Sequence, residues 1–233
     1  NKFLPSDELA IIKSEAPSNS TAPSISLIKL TKNLPFISIA VATFCNNWAL
    51  YTFLSYLPKF VNSPISVGGL GIELESSVFI YLILIPSFFS IFSLLLGGYL
   101  ADRFIKKGYK VIHVRKTVNS IGFFGAAILL YLISLQDSLI SVLILLCLIN
   151  FCSGIGAGGF GVNHADLGPK YTGSLVGISG SFGMIAAIFS PMVAGYLLEI
   201  TNSWSVIFYI CSVILMFGGL FYLKFASASK QFE

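Results

Sequence analysis

Six apolar segments constrain this chain more than any other feature of its sequence. They cover about residues 35–57, 77–100, 117–135, 139–161, 172–198 and 204–225, with short polar stretches between them. An apolar segment of about 20 residues crosses the hydrocarbon core of a bilayer as a helix, whereas a membrane strand has about 10 residues of alternating polarity. Backbone polar groups in lipid must also be hydrogen-bonded within the segment. The pattern therefore predicts an all-α membrane protein with six transmembrane helices.

The composition argues against several classes of soluble protein. Of the 233 residues, 55% are apolar and only 10% are charged, whereas soluble domains average about 25% charged residues. So few charges cannot cover a water-facing surface, so we expect a lipid bilayer around the protein and no nucleic-acid partner. The four cysteines lie inside apolar segments without metal-ligand spacing, which favours a packing role. We accordingly expect no metal, no resident cofactor and no catalytic residue.

The basic residues predict the orientation of the helices. With six spans, 13 of the 14 lysines and arginines fall on one side of the membrane, and only Lys59 falls on the other. Basic residues concentrate on the cytosolic side, so both chain ends and residues 101–116 are expected in the cytosol. The domain prediction is a cytoplasmic linker or tail (1–33), a six-helix membrane region (34–226) and a cytoplasmic tail (227–233). The polar start at Asn1 suggests a piece of a longer protein.

Polar residues within two spans form the candidate substrate path. Its predicted members are Asn46, Asn47, Trp48 and Tyr51 of the first span and Asn150 and Ser153 of the fourth. Amides near mid-membrane need partners or water, so they either hold helices together or line a water-filled cavity. All ten acidic residues lie in tails, loops or helix ends. If the protein couples the movement of a substrate to protons, the coupling carboxylate therefore lies elsewhere in a longer chain.

Two clusters of small residues allow two interpretations. Residues 153–159 of the fourth span are rich in glycine, and glycines recur at 173, 177, 180 and 183 in the fifth. Small residues let helix backbones approach closely, which favours static packing. Glycine also weakens a helix, which favours helices that bend or slide. Pro86 and Pro191 lie in mid-helix and predict kinks.

The second loop resembles a signature of the major facilitator superfamily. It reads Gly97-Gly98-Tyr99-Leu100-Ala101-Asp102-Arg103-Phe104-Ile105-Lys106-Lys107. Gly98, Asp102 and Arg103 are its candidate gate residues. We expect Asp102 to accept hydrogen bonds from a helix N-terminus or from an arginine across the cytoplasmic face.

The fourth loop, residues 159–173, resembles a more restricted group, the anion:cation symporter family. That family typically carries Gly-Phe-x-x-Asn-His-x-Asp-Ile-x-Pro-Arg-Tyr-x-Gly, and this chain matches it with Asn163, His164 and Asp166. Lys170 replaces the usual arginine, and Leu167 replaces the usual isoleucine. The resemblance extends over residues 34–231 and assigns these loop residues to a cytoplasmic gate or motif.

The resemblance implies twelve helices in two halves, of which this chain is similar to the second. It also implies secondary active symport of an anion with H⁺ or Na⁺, in a lysosomal, vesicular or plasma membrane. The first span is most similar to that of sialin. Vesicular glutamate transporters have an arginine where Asn46 stands, which suits a second substrate carboxylate. A sialic acid-like monocarboxylate or phosphate is therefore the expected substrate.

Two other functions remain open from the sequence. A six-helix fragment could be a membrane scaffold that transports nothing. His164 and Asp166 could instead serve a membrane-embedded enzyme, although no serine or cysteine partner stands near them in sequence.

Overall fold

The computed structural model describes residues 26–73 and 76–232, with side chains of its second long helix described from residue 79. Within these residues, six helices are long and apolar enough to cross a membrane: α2 (Leu34–Asn62), α3 (Ser76–Lys106), α4 (Val111–Ile133), α5 (Leu139–Phe160), α7 (Thr172–Thr201) and α8 (Trp204–Phe225). Two short helices, α1 (Leu27–Thr31) and α6 (Asn163–Leu167), precede α2 and α7. The prediction of an all-α protein with six transmembrane helices is confirmed.

Three helix boundaries differ from the prediction by five residues or more. α2 continues through Pro58 to Asn62, and α3 continues to Lys106, so that Asp102 and Arg103 are helical. α4 begins at Val111, six residues earlier than predicted, so that Arg115 lies in its second turn. Hydropathy marks the part of a helix that lies in hydrocarbon, whereas the helix itself continues into the interface with charged residues. The predicted loops were therefore too long.

Helix packing does not follow the order of the chain. α2 packs closely on α7 and α8, α5 packs closely on α3 and α4, and α4 joins the two groups through α8. α7 and α8, although consecutive, make few contacts with each other. Edge-to-face rings of Phe60, Trp204 and Phe208, with centroids 4.9–5.4 Å apart, fix the α2–α8 contact.

The glycines of α5 pack against two neighbouring helices. A Cβ atom on Gly122 of α4 would collide with the backbone of Gly156, and one on Gly158 would meet the backbone of Gly97 at 3.2 Å. These close approaches support the static-packing interpretation for α5. On α7, by contrast, a Cβ added at Gly173, Gly177 or Gly180 would meet nothing within 4 Å among the described atoms.

Two sets of contacts distinguish the ends of the bundle. We call one end the charged end, because it holds the ion pair of Arg115 and Asp166. There, Asn33 Nδ2 donates to Gln231 Oε1 at 3.1 Å and Gln231 N–H donates to Leu167 O at 2.8 Å. At the other end the loop after α2 turns at Gly68, whose φ of +81° favours glycine, and contacts Trp204. The start of α2 and the end of α8 therefore lie on the same side, as six spans require. The basic residues still predict that this side is cytosolic.

Candidate functional site: a polar central cavity and a hydrogen-bonded charged end

A partly open cavity of about 230 Å³ lies mainly between α2, α3 and α5. We call it the central cavity. Its polar lining comes from the side chains of Asn46, Ser90, Asn150 and Ser153, and apolar side chains such as Phe53 form the rest. The structure thus brings together Asn46, Asn150 and Ser153 of the predicted path. Sequence reasoning did not select Ser90, which lies in a mainly apolar span together with Ser87 and Ser93.

The central cavity offers hydrogen bonds but no formal charge. Asn150 Nδ2 donates one proton to Leu146 O at 2.9 Å, which leaves its second N–H and its carbonyl oxygen for the cavity. Within residues 26–73 and 76–232, the Asn46 side chain has no hydrogen-bond partner, so both its donor and its acceptor groups remain for a ligand or water. Neutral groups of this kind can orient a ligand, but they cannot neutralise its charge.

The other predicted path residues lie on a different side of α2. Asn47 contacts α7, because a Cβ atom added at Gly183 would collide with its Nδ2. Trp48 contacts Phe44, with ring centroids 5.7 Å apart, and lies beside α7 and α8 rather than in the central cavity. Tyr51 follows Asn47 by one turn and is half-buried. Consecutive residues of a helix point about 100° apart, so the amides of Asn46 and Asn47 face different neighbours. Which of the two faces the cavity depends on where the other helices pack.

A buried ion pair joins α4, α5 and α6 at the charged end. Arg115 donates to both carboxylate oxygens of Asp166, at 2.8 and 3.4 Å, and to Gly158 O at 3.1 Å. The two side chains are only 7% and 19% exposed. The motif identified Asp166 but not Arg115, which was assigned to a loop. The helix starts at Val111, and Arg115 lies on its buried face with Val114 and Val118. A sequence prediction that started this helix at Val111 could have placed Arg115 in the protein interior.

The adjoining motif residues tie α6 to α7 and α8. Because a carbonyl only accepts, His164 Nδ1 donates to Gly161 O at 2.9 Å, and Nε2 of the neutral ring accepts from Ser179 Oγ at 2.7 Å. Asn163 Nδ2 donates to Tyr222 Oη at 2.8 Å. His164, Asn163, Ser179 and Tyr222 are all buried. Their partners, Ser179 and Tyr222, come from distant helices, and the sequence did not predict these pairings.

The gate residues of the second loop lie apart from this network. Asp102 and Arg103 are exposed on the last turns of α3, and a Cβ atom added at Gly98 would meet nothing described within 4 Å. Arg103 Nη1 donates to Tyr99 Oη at 3.2 Å. In the part of the chain that the structure covers, Asp102 has no hydrogen-bond partner, so the expected helix N-terminus or arginine is not supplied there. Lys170 is likewise exposed, on the 3₁₀ turn Pro169–Tyr171.

In the part of the chain that the structure describes, six consecutive helices long and apolar enough to span a membrane define a multi-pass integral membrane protein. Residues 4–191 match the Major Facilitator Superfamily, and the chain belongs to that superfamily. The structure is similar to the crystal structure of peptide transporter POT (E310Q mutant) in complex with sulfate, with a TM-score of 0.63 and 15% identity over 89% of this chain and 44% of that one. At that identity the likeness shows the fold alone.

Several curated relatives of this chain are named as transporters, and others are named sialin. Human sialin is 29% identical over 91% of this chain and 42% of its own length. Vesicular glutamate transporter 1 of Xenopus tropicalis is 30% identical over 87% of this chain and 34% of its own length. Probable anion transporter 1, chloroplastic, of Oryza sativa subsp. japonica is 28% identical over 76% of this chain and 32% of its own length. The predicted resemblance to the anion:cation symporters is confirmed, and the chain spans less than half the length of these relatives.

Proposed function

We propose that this chain is one of the two six-helix membrane halves of a secondary active transporter for anions. The central cavity carries the proposal, because it brings uncharged hydrogen-bonding groups of Asn46 and Asn150 together between membrane helices. Relatives named sialin and sodium-dependent phosphate transport protein 1 support anions as the substrate class. A second six-helix half would complete the binding site, and the two halves would rock around it.

The substrate class follows from the neutral lining. Asn46 stands where vesicular glutamate transporters, by resemblance, have an arginine, and its amide faces the central cavity. This half therefore supplies no positive charge for a second carboxylate. A sialic acid-like monocarboxylate or phosphate fits better, with its charge bound by an arginine of the other half.

The coupling ion is H⁺ or Na⁺. The described acidic residues at positions 73, 102, 137, 166 and 199 all lie outside the lining of the central cavity. Asp166 is already bound by Arg115. We therefore place the coupling carboxylate in the remaining part of the full-length protein.

Replacing the cavity amides tests the proposal. Asn46→Ala and Asn150→Ala are each expected to raise the apparent KM for the anion about ten-fold in proteoliposomes of the full-length protein. Each variant removes hydrogen bonds to the bound anion, and a group left unsatisfied in a binding site costs about 1–3 kcal/mol. Uptake of labelled sialic acid, phosphate and glutamate by the unaltered protein identifies the substrate.

Two further variants interpret that result. Ser181→Ala is the control, because Ser181 is exposed on α7 and bonds only within its own helix, to Gly177 O. Asn47→Ala tests the other side of α2, and a loss there alone would move the path to α7. Asn119 of α4 also lies outside the cavity lining, but it is unsuitable as a control because its side chain is fully buried. If the full-length protein takes up none of the three labelled anions, the scaffold interpretation replaces the transporter proposal.

The catalytic alternative predicts a reactive serine. Ser179 and His164 are 2.7 Å apart, a distance suited to proton transfer, but Ser179 is only 1% exposed and Asp166 binds Arg115 instead of the imidazole. We therefore assign the pair to helix packing rather than catalysis. A fluorophosphonate probe is expected to leave Ser179 unlabelled in the folded protein. Stoichiometric labelling that the Ser179→Ala variant lacks would revive the enzyme hypothesis.

A further inference from the structure

A large apolar groove lies on the outside of the bundle at the charged end. It has a volume of about 670 Å³, within the range of about 300–1,000 Å³ typical of ligand pockets. We call it the outer groove. α2 forms its floor, α7 and α8 form its walls, and α1 covers its end. The groove exists because α7 and α8 each pack on α2 but make few contacts with each other.

The lining of the outer groove suits hydrocarbon. Apart from Thr31, its side chains are apolar, and Phe182 and Phe217 on its walls are 43% and 55% exposed. Along α2 the groove extends from Phe36 to Cys45, about 14 Å at 1.5 Å per residue. It therefore runs from the membrane surface toward the bilayer centre, the direction in which an acyl chain lies.

The rim of the outer groove is basic. Lys29 and Lys32 lie exposed at α1, next to the groove residues Leu30 and Thr31. Lys224 is seven residues beyond Phe217 on α8, which puts it on the same helix face and closer to the membrane surface. Of the described acidic residues at this end, Asp166 is paired with Arg115 and Asp102 lies on α3, which does not line the groove.

We propose that the outer groove binds an anionic phospholipid of the cytoplasmic leaflet. One acyl chain lies against α2 between α7 and α8, and the headgroup binds the ammonium groups of Lys29, Lys32 and Lys224. Basic side chains near the cytoplasmic surface attract anionic lipids, and the predicted orientation places this end there. The site is separate from the central cavity, because the two share no lining residue.

Photo-crosslinking in nanodiscs tests the proposal on the full-length protein. The probes are phosphatidylserine and phosphatidylcholine with the same diazirine-bearing acyl chain, and mass spectrometry locates the labels. Phosphatidylserine is expected to label peptides containing Ile178, Phe182 and Phe217, and phosphatidylcholine much less. The double variant Lys29→Ala/Lys32→Ala should lower this labelling about ten-fold, because each lysine near an anionic surface contributes several-fold.

Control variants separate the groove from general lipid contact. Lys106→Ala/Lys107→Ala removes the same charge at the same end, at the end of α3, and should leave labelling unchanged. Val41→Trp fills the groove floor and should abolish labelling by both lipids. Equal labelling by the two lipids, labelling insensitive to Lys29 and Lys32, or labels spread evenly to exposed Phe88 and Phe92 would overturn the proposal. Labelling that appears only after removal of residues 1–25 would assign the groove to that segment instead.

Discussion

Arg115→Ala is expected to lower the melting temperature of the purified protein by about 10 °C or to prevent its accumulation. The guanidinium donates three hydrogen bonds, to Asp166 and to Gly158 O, in a site where the two side chains are 7% and 19% exposed. Removing one partner of a buried ion pair costs about 3–5 kcal/mol, because the other charge stays buried without compensation. For a chain of this size, about 3 kcal/mol corresponds to roughly 10 °C. Thermal unfolding followed by size-exclusion chromatography measures the loss.

Matched variants identify the cause of that loss. Arg103→Ala removes an exposed arginine at the same end, whose Nη1 donates to Tyr99 Oη, and should shift the melting temperature by less than about 2 °C. Arg115→Ala/Asp166→Asn also removes the stranded carboxylate, so it should be less destabilising than Arg115→Ala alone. If Arg115→Ala proved no worse than Arg103→Ala, the ion pair would contribute nothing to stability.

The number and direction of the helices could be predicted because they depend on properties that single segments carry. Apolar length predicts a span, and the distribution of lysine and arginine predicts a side, without knowledge of any neighbour. Helix ends could not be predicted in this way. The charged turns that hold Asp102 and Arg115 look like loop sequence, yet the backbone stays helical through both. Their local sequence is compatible with helix, so hydropathy alone misplaced the boundary.

The candidate site depends on which helices meet, and that information is not local. Asn46 and Asn47 are adjacent in sequence, but one faces α5 across the central cavity and the other faces Gly183 of α7. Motif residues were easier to find than their partners. His164 and Asp166 stand out by resemblance, whereas Ser179 and Arg115 are ordinary residues until α7 and α4 are placed around them.

Valine substitutions at two glycines with opposite surroundings should differ strongly in their effect on the melting temperature. Gly122→Val should be severely destabilising, because even a Cβ atom there would collide with the backbone of Gly156 and approach Cys152 O at 3.0 Å. Overpacking typically costs about 1–3 kcal/mol, and a backbone contact cannot relax by rotating a side chain, so we expect at least the upper value. The melting temperature measured by thermal unfolding should therefore drop by about 10 °C.

Gly177→Val, measured on the same 233-residue chain, is the control. It adds the same side chain where the described structure is open within 4 Å, so its melting temperature should change by less than about 2 °C. Similar drops for the two variants would mean that valine itself is poorly tolerated in these helices and that close α4–α5 packing is not what Gly122 provides.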